Sequence, residues 1–153
     1  MITTPRLVDV PSAPAALIHI TVPRAEIQQV MGPAFGELAA ALAAQGITPA
    51  GPFFSHHLRM EADTFDFDLG VPVASPVAPV GRVQPGEQPG GRVAQTVYQG
   101  GYEGLSGGWS ALMAWLEAEG QPHAPNLWER YLTGPADSPD PADWRTELNR
   151  PVG

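Results

Sequence analysis

Cysteine is absent from the chain, which excludes a disulfide framework and any thiol chemistry. Basic residues are scarce: eight Lys and Arg stand against 16 Asp and Glu, for a net charge of −8 and a pI of about 4.8. The eight are scattered, so a phosphate backbone finds no cluster to grip, and a nucleic-acid partner is not expected. No apolar run reaches the length of a membrane span, and residues 1–6 lack the apolar core of a signal peptide. A cytoplasmic location without a membrane partner is therefore expected. Charged residues are only 16% and hydrophobic ones 43%, which excludes a disordered chain, and 153 residues suit one domain with a real core. Glycine (17) and proline (18) are plentiful but dispersed, marking many turns and no single linker.

What is present is organised around Asn126-Leu127-Trp128-Glu129-Arg130-Tyr131-Leu132, a short strand between Pro125 and the turn residues Gly134-Pro135. Alternation puts Leu127, Glu129 and Tyr131 on one face and Trp128, Arg130 and Leu132 on the other. A carboxylate beside a tyrosine on a half-apolar strand either meets water or, if buried, needs a partner. An apolar, aromatic surround is expected to raise its pKa, and a bound cation to lower it again.

Elsewhere Leu7 to Val22 reads as extended. Ile27, Met31, Phe35, Leu38 and Leu42 recur at helical spacing, with Gly46 as C-cap and a break expected at Pro33. Phe53–Met60, Phe65–Val73 and Arg92–Gln99 are strands, and a short strand is placed near Arg82-Val83. Tyr102, Leu105, Trp109, Leu112, Met113 and Leu116 form a second helical stripe ended by Gly120, and Trp144 to Val152 is the last strand.

The second half repeats the first. An offset of 74 pairs Gly46 with Gly120, Phe35 with Trp109, Leu38 with Leu112, Leu42 with Leu116, Phe54 with Trp128 and Leu58 with Leu132; an offset of 79 then matches Asp68-Leu69-Gly70-Val71-Pro72-Val73 with Glu147-Leu148-Asn149-Arg150-Pro151-Val152. The fold class expected is α+β: two β-α-β-β halves with pseudo-twofold symmetry, a mainly antiparallel sheet, two main helices and a pocket between the halves. Residues 1–153 form one domain with halves at about 1–80 and 81–153. The duplication sets Glu129 opposite Ser55 and Tyr131 opposite His57, so one half carries a carboxylate and a phenol where the other carries a hydroxyl and an imidazole. That asymmetry marks Glu129 as a site residue.

Competing signals are weaker. Gly104-Leu105-Ser106-Gly107-Gly108 fits a nucleophile-elbow pattern, but Ser106 is not at a strand tip and no histidine follows Asp137, Asp140 or Asp143. His56 and His57 face opposite ways on a strand and have no partner at metal-ligand spacing, so no metal or cofactor is expected. Asp63, Asp66 and Asp68 lack EF-hand spacing and read as a solvated strand face.

The order of Gly100-Gly101-Tyr102-Glu103-Gly104-Leu105, a Trp-bearing helix, Trp128-Glu129-Arg130-Tyr131-Leu132 and Thr146-Glu147-Leu148-Asn149-Arg150-Pro151-Val152 resembles the gyrase-inhibitor-like small-molecule-binding domain over nearly the whole chain. That domain is also the effector-binding module of multidrug-sensing MerR-type and some AraC-type regulators. The resemblance implies a duplicated β-α-β-β (SHS2-type) fold. It also implies a pocket glutamate, here Glu129, that meets cationic aromatic ligands against Tyr131 and Tyr102. Many relatives have Gly-Pro-Tyr where Gly100-Gly101-Tyr102 stands, and the extra glycine loosens that turn. These residues include no helix-turn-helix segment, so a regulator role is not expected from this chain alone. The expected ligand-binding set is Glu129, Tyr131, Tyr102, Trp109, Phe53, Ser55 and His57. The leading expectation is a binder of small, apolar or aromatic, also cationic molecules. An alternative is a hydrolase of strained electrophiles, such as cyclopropane-bearing DNA-alkylating compounds, in which Glu129 activates water and Tyr131 donates a proton. A third is an inhibitor that meets a protein partner through its acidic surface.

Overall fold

Two apolar stripes of helical period become two amphipathic helices. The computed structural model describes residues 2–60, 63–135 and 137–152, and of Arg59 and Met60 the backbone only; Met1 and Gly153, the ends of the expected domain, lie outside the described residues. Helix α1 (Ile27–Ala44) buries Ala34, Leu38, Ala41 and Leu42, and α2 (Leu105–Ala118) buries Gly108, Leu112 and Leu116. Each is entered through a 3-10 turn, Arg24–Glu26 and Tyr102–Gly104. Each is followed by a glycine in the left-handed region, φ 66° at Gly46 and 63° at Gly120. Beyond it the chain closes back on the helix, with the Ile47 amide donating to Leu42 O and the Gln121 amide to Leu116 O, both at 2.9 Å. These closures satisfy carbonyls that the helix end would otherwise strand.

The break expected at Pro33 does not occur: α1 runs through it. Proline removes one helical hydrogen bond, the one to the Gln29 carbonyl four residues back. Gln29 and Pro33 are both exposed, on a side of the helix where solvent can supply the missing donor.

Eight strands follow the branched and aromatic runs: β1 (Arg6–Val10), β2 (Ala13–Pro23), β3 (Phe54–Met60), β4 (Thr64–Pro72), β5 (Gln84–Gln88), β6 (Gly91–Gln99), β7 (Leu127–Thr133) and β8 (Arg145–Pro151). The chain forms two compact units, Pro11–Gly90 and Met1–Val10 together with Gly91–Gly153. The first contains α1 and the strand order β5-β2-β4-β3; the second contains α2 and the order β1-β6-β8-β7; the pairings within them are antiparallel. The fold is thus α+β with a duplicated β-α-β-β unit and two main helices. Three details differ from the sequence reading. The extended run from Leu7 to Val22 is cut before Ala13, where Pro11 removes a ladder donor. Strand β1 then pairs with β6, so the first ten residues go with the second unit and not with a half ending near residue 80. The strand placed near Arg82-Val83 begins at Gln84.

The repeat is carried down to register. Strand β3 pairs Phe54 with Gly70, Ser55 with Leu69, His56 with Asp68 and His57 with Phe67; β7 pairs Trp128 with Asn149, Glu129 with Leu148, Arg130 with Glu147 and Tyr131 with Thr146. Both ladders shift at the same step, after His57 and after Tyr131. Ser55 and Glu129 are therefore structurally equivalent, as are His57 and Tyr131.

Each helix covers one face of its own sheet. In the first unit Ile18, Ile20, Phe67 and Leu69 pack with Leu38 and Leu42; in the second Ala94, Tyr98 and Leu148 pack with Leu112 and Leu116. Each fully buried Leu or Phe contributes about 1.5–3 kcal/mol. Opposite Phe54, a Cβ on Gly70 would lie 2.6 Å from Phe54 Cζ and 3.0 Å from the Ala16 carbonyl oxygen. The carbonyl belongs to the sheet ladder and cannot step aside. Gly70→Ala is expected to cost about 1–3 kcal/mol in urea unfolding; a wild-type midpoint would show that the Phe54 ring yields freely. Among the described residues no helix is long and apolar enough to cross a membrane.

Candidate functional site

Glu129 is the third residue of β7 and the cross-strand partner of Leu148, so its side chain leaves the sheet on the face that α2 covers. It is 7% exposed. Trp109 of α2 reaches down to it, with Nε1–H donating to Oε2 at 2.6 Å, and the Tyr131 hydroxyl donates to Oε1 at 2.9 Å. Each carboxylate oxygen thus accepts from an aromatic side chain, which suits an ionised carboxylate, a pure acceptor. Burial of such a group without donors would cost several kcal/mol.

Above this pair lies Tyr102, 39% exposed, at the start of the 3-10 turn that leads into α2. Its ring meets Tyr131 edge-on at 6.2 Å between centroids and leans on Trp144 at 5.1 Å and 36°. Burial first, then the charges of Glu129 and Asp137, push the Tyr102 hydroxyl above its ordinary pKa of 10.0. Trp144 is held in turn, its Nε1–H donating to the Ser138 carbonyl at 2.9 Å and its own carbonyl accepting from the Gly100 amide at 3.0 Å. The result is a buried carboxylate bonded to Trp109 and Tyr131, with Tyr102 against Tyr131 and Trp144 against Tyr102, all four rings partly accessible. Such a set favours a cation with apolar surface, through charge and through the negative faces of the rings.

The structure thus brings together Glu129, Tyr131, Tyr102 and Trp109. Phe53, Ser55 and His57 belong to the other unit. There Phe53 meets Phe35 edge-on at 4.8 Å beside the apolar core. Ser55 Oγ and His57 Nε2 are 3.2 Å apart, and the His57 ring stacks on Phe67 at 4.9 Å and meets Phe65 edge-on at 5.5 Å. Burial, then the charges of His56 and Arg24, push the His57 pKa down to about 4, so this imidazole is neutral at pH 7. Two residues escaped the sequence reading. Trp144 stood only as the first residue of a strand, and Asp137 only as an acid with no later histidine; neither carries a motif.

The rival signals fall away for physical reasons. Ser106 is exposed in the first turn of α2. The glycines around it make room for Tyr98: a Cβ on Gly104 would collide with the Tyr98 hydroxyl, and one on Gly108 would lie 3.0 Å from its ring. Asp66 and Asp68 do not form a merely solvated face. Asp66 is buried, and the two bracket His19, with Nε2 and Nδ1 each 2.8 Å from a carboxylate oxygen. Among the described residues no group of three or more His, Asp or Glu is arranged to hold a metal ion.

Comparison with known proteins adds a family and a fold. Residues 3–152 match the family model of the GyrI-like small molecule binding domain. No curated protein sequence matches the chain. Among solved structures, the EcmrR C-terminal domain is similar at 21% identity over 98% of this chain and 97% of that one, with a TM-score of 0.84. Against EcmrR in its DNA complex the chain spans 57% of the other's length. SAV2435 bound to tetraphenylphosphonium is similar at 11% identity over 99% of this chain and 94% of that one, TM-score 0.66. A hydrolase from Listeria innocua is similar at 14% identity over 97% and 91%, TM-score 0.60. At these identities the likenesses are likenesses of fold.

Proposed function

Because the chain belongs to the family of GyrI-like small-molecule-binding domains, we propose that it binds small aromatic cations at Glu129. The observation that carries this reading is the buried Glu129 carboxylate bonded to Trp109 and Tyr131, with the Tyr102 ring edge-on to Tyr131 and Trp144 against Tyr102. A cation set against Glu129 would regain in charge and cation–π attraction what it loses in hydration, and its aromatic groups would replace water on the rings. The role would be that of an effector-binding or drug-sequestering module. The relative that carries tetraphenylphosphonium supplies a probe of this chemistry.

The test is calorimetric titration of the wild-type chain with tetraphenylphosphonium and with neutral triphenylphosphine oxide. Saturable binding of the cation, with quenching of tryptophan fluorescence, is expected. Tyr131→Ala should weaken it by about 1–3 kcal/mol. No binding of either compound would defeat the reading, and an unchanged affinity in Tyr131→Ala would remove Tyr131 from the site.

A second reading rests on the direct Tyr131–Glu129 hydrogen bond. In it Glu129 takes a proton from water attacking a strained ring, and a tyrosine hydroxyl protonates the departing atom. Incubation with a cyclopropane-bearing alkylating compound and mass-spectrometric analysis of products tests it; recovery of the compound unchanged disposes of the idea.

A further inference from the structure

Just before β1 the chain gains one residue on its partner strand. Ile2 bridges Tyr98 and Arg6 pairs with Gln95, so Thr3, Thr4 and Pro5 stand opposite only Thr96 and Val97. Three residues against two make a β-bulge, which opens a sheet edge and re-aims its side chains. Threonine hydroxyls hold the bulge in shape. The Thr3 amide donates to the Val97 carbonyl at 2.9 Å, but the Val97 amide turns to the Thr3 hydroxyl at 3.0 Å. The buried Thr96 hydroxyl donates to the Thr3 carbonyl at 2.6 Å, and the two hydroxyls lie 3.0 Å apart. Both are therefore used up. Beside the bulge lies a crevice of about 440 Å³, lined by Thr3, Thr4, Arg6, Gln95, Thr96 and Val97. Its size suits a small-molecule ligand.

The crevice lining holds a positive charge and no acid. Arg82, Arg92 and Arg130 each pair with a carboxylate; Arg6, among the described residues, pairs with none, although the chain carries 16 acids. Across from Arg6, the Gln95 amide donates one hydrogen to Asn149 Oδ1 at 2.9 Å, and Asn149 donates to Glu147 at 3.0 Å. A carboxylate only accepts, so Glu147 fixes the direction of both amides and leaves the second Gln95 hydrogen over. The exposed Thr4 hydroxyl adds another donor.

We infer that this crevice is a second binding site, selective for anions: the phosphate or carboxylate of a small organic anion lies on the Arg6 guanidinium, with Thr4 and Gln95 as further donors. A guanidinium offers the parallel N–H pair that both oxyanions accept. One arginine gives a small anion a hold but gives a polyanion none, in keeping with the scattered basic residues of the chain. The site and the Glu129 carboxylate would then sort ligands of opposite charge. Neither depends on the other.

The experiment titrates the isotope-labelled chain at low salt with phenyl phosphate, benzoate and neutral phenol, following backbone amide resonances. Both anions should shift Thr3, Thr4, Arg6, Gln95, Thr96 and Val97 saturably, and phenol should not. Arg6→Gln should weaken both anions about tenfold or more, and Arg6→Lys, which keeps the charge and loses the fork, by less. Arg92→Gln makes the same change of charge on the same sheet and should leave both within about twofold. The tighter of the two anions names the source: phenyl phosphate assigns the crevice to phosphoryl compounds, benzoate to carboxylates. The inference fails if neither anion gives saturable shifts at these residues, if phenol shifts them equally, or if Arg6→Gln and Arg92→Gln weaken the anions alike. Any of those results leaves the Glu129 reading standing, because that reading is tested with cations.

Discussion

Glu129→Gln is expected to weaken tetraphenylphosphonium by about 2–3 kcal/mol, roughly 30- to 150-fold, while triphenylphosphine oxide changes by less than about twofold. The substitution separates charge from shape. The amide oxygen of a glutamine can accept from Trp109 Nε1, and its NH2 can donate to the Tyr131 oxygen once the phenol hydrogen turns away. Both neighbours remain paired, so the fold should lose little. Glu129→Ala is the contrasting control: it strands two donors and should cost about 1–3 kcal/mol of stability as well as the cation. Because the carboxylate is buried, added salt should weaken cation binding much less than it would at a surface pair. Under the hydrolytic reading the same Gln variant loses turnover and keeps substrate affinity. Small, equal losses for charged and neutral ligands, with no turnover in either form, would return Glu129 to a scaffold role.

The chain should also lose about 3 kcal/mol of stability between pH 6.5 and pH 4 because of His57 alone. In the unfolded chain an imidazole takes up its proton near 6.5; in the fold His57 does so only near 4. Between those values the unfolded state binds more protons, so stability is full above pH 6.5, falls as pH drops, and has lost this contribution below about 4. The cause is local. His57 lies among Phe65 and Phe67, with Ser55 at one ring nitrogen and the charges of His56 and Arg24 opposing a further positive charge. His56 is also held low, by burial against the pull of Asp68, and adds a loss of the same sign. The readout is therefore the difference between wild type and His57→Phe, which keeps the stack on Phe67 and has no proton to gain. Urea unfolding from pH 7.5 to pH 4 should show a shallower decline in the variant. Parallel curves would mean that His57 is solvated well enough to charge in place.

Much of this was written in the residues, because duplication repeats physical constraints along with letters. The offset of 74 that links Gly46 to Gly120 holds because both helices need a left-handed residue at the same point. The offsets of 74 and 79 together place Glu129 opposite Leu148 as Ser55 is opposite Leu69. Glu129 and Tyr131 were legible as neighbours because strand alternation is a local rule, whereas the bond from Trp109 to Glu129 joins two elements and was not. What was not legible depended on partners far along the chain. Pro33 reads as a break unless the face it occupies is known to be wet. Leu7 to Val10 and Ala13 to Val22 read as one strand unless β6 is known to claim the first of them. Trp144 gains its role only from a loop that folds it back onto Tyr102, and aspartates and prolines alone do not announce where such a loop points.

The pairing of β1 with β6 sets an order of events while the chain is being made. The ribosome delivers Pro11–Gly90 as one uninterrupted stretch, so the first unit can close its sheet and cover it with α1 as soon as that stretch has emerged. Strand β1 is delivered earlier and has nothing to pair with until Gly91, the partner of Val10, and the residues after it appear. A strand left waiting with open edges is a hazard for any nascent protein. Here the waiting strand has five residues, none of them fully buried even in the finished fold, and Asp9 among them carries a charge. It is short, half-polar and followed by proline, and can be kept in water without attracting its neighbours on the polysome. Strand β1 is thus made well before its partner and docked late, and slow translation after Gly90 should lengthen the interval in which a protease can cut at β1 without touching the stretch Pro11–Gly90.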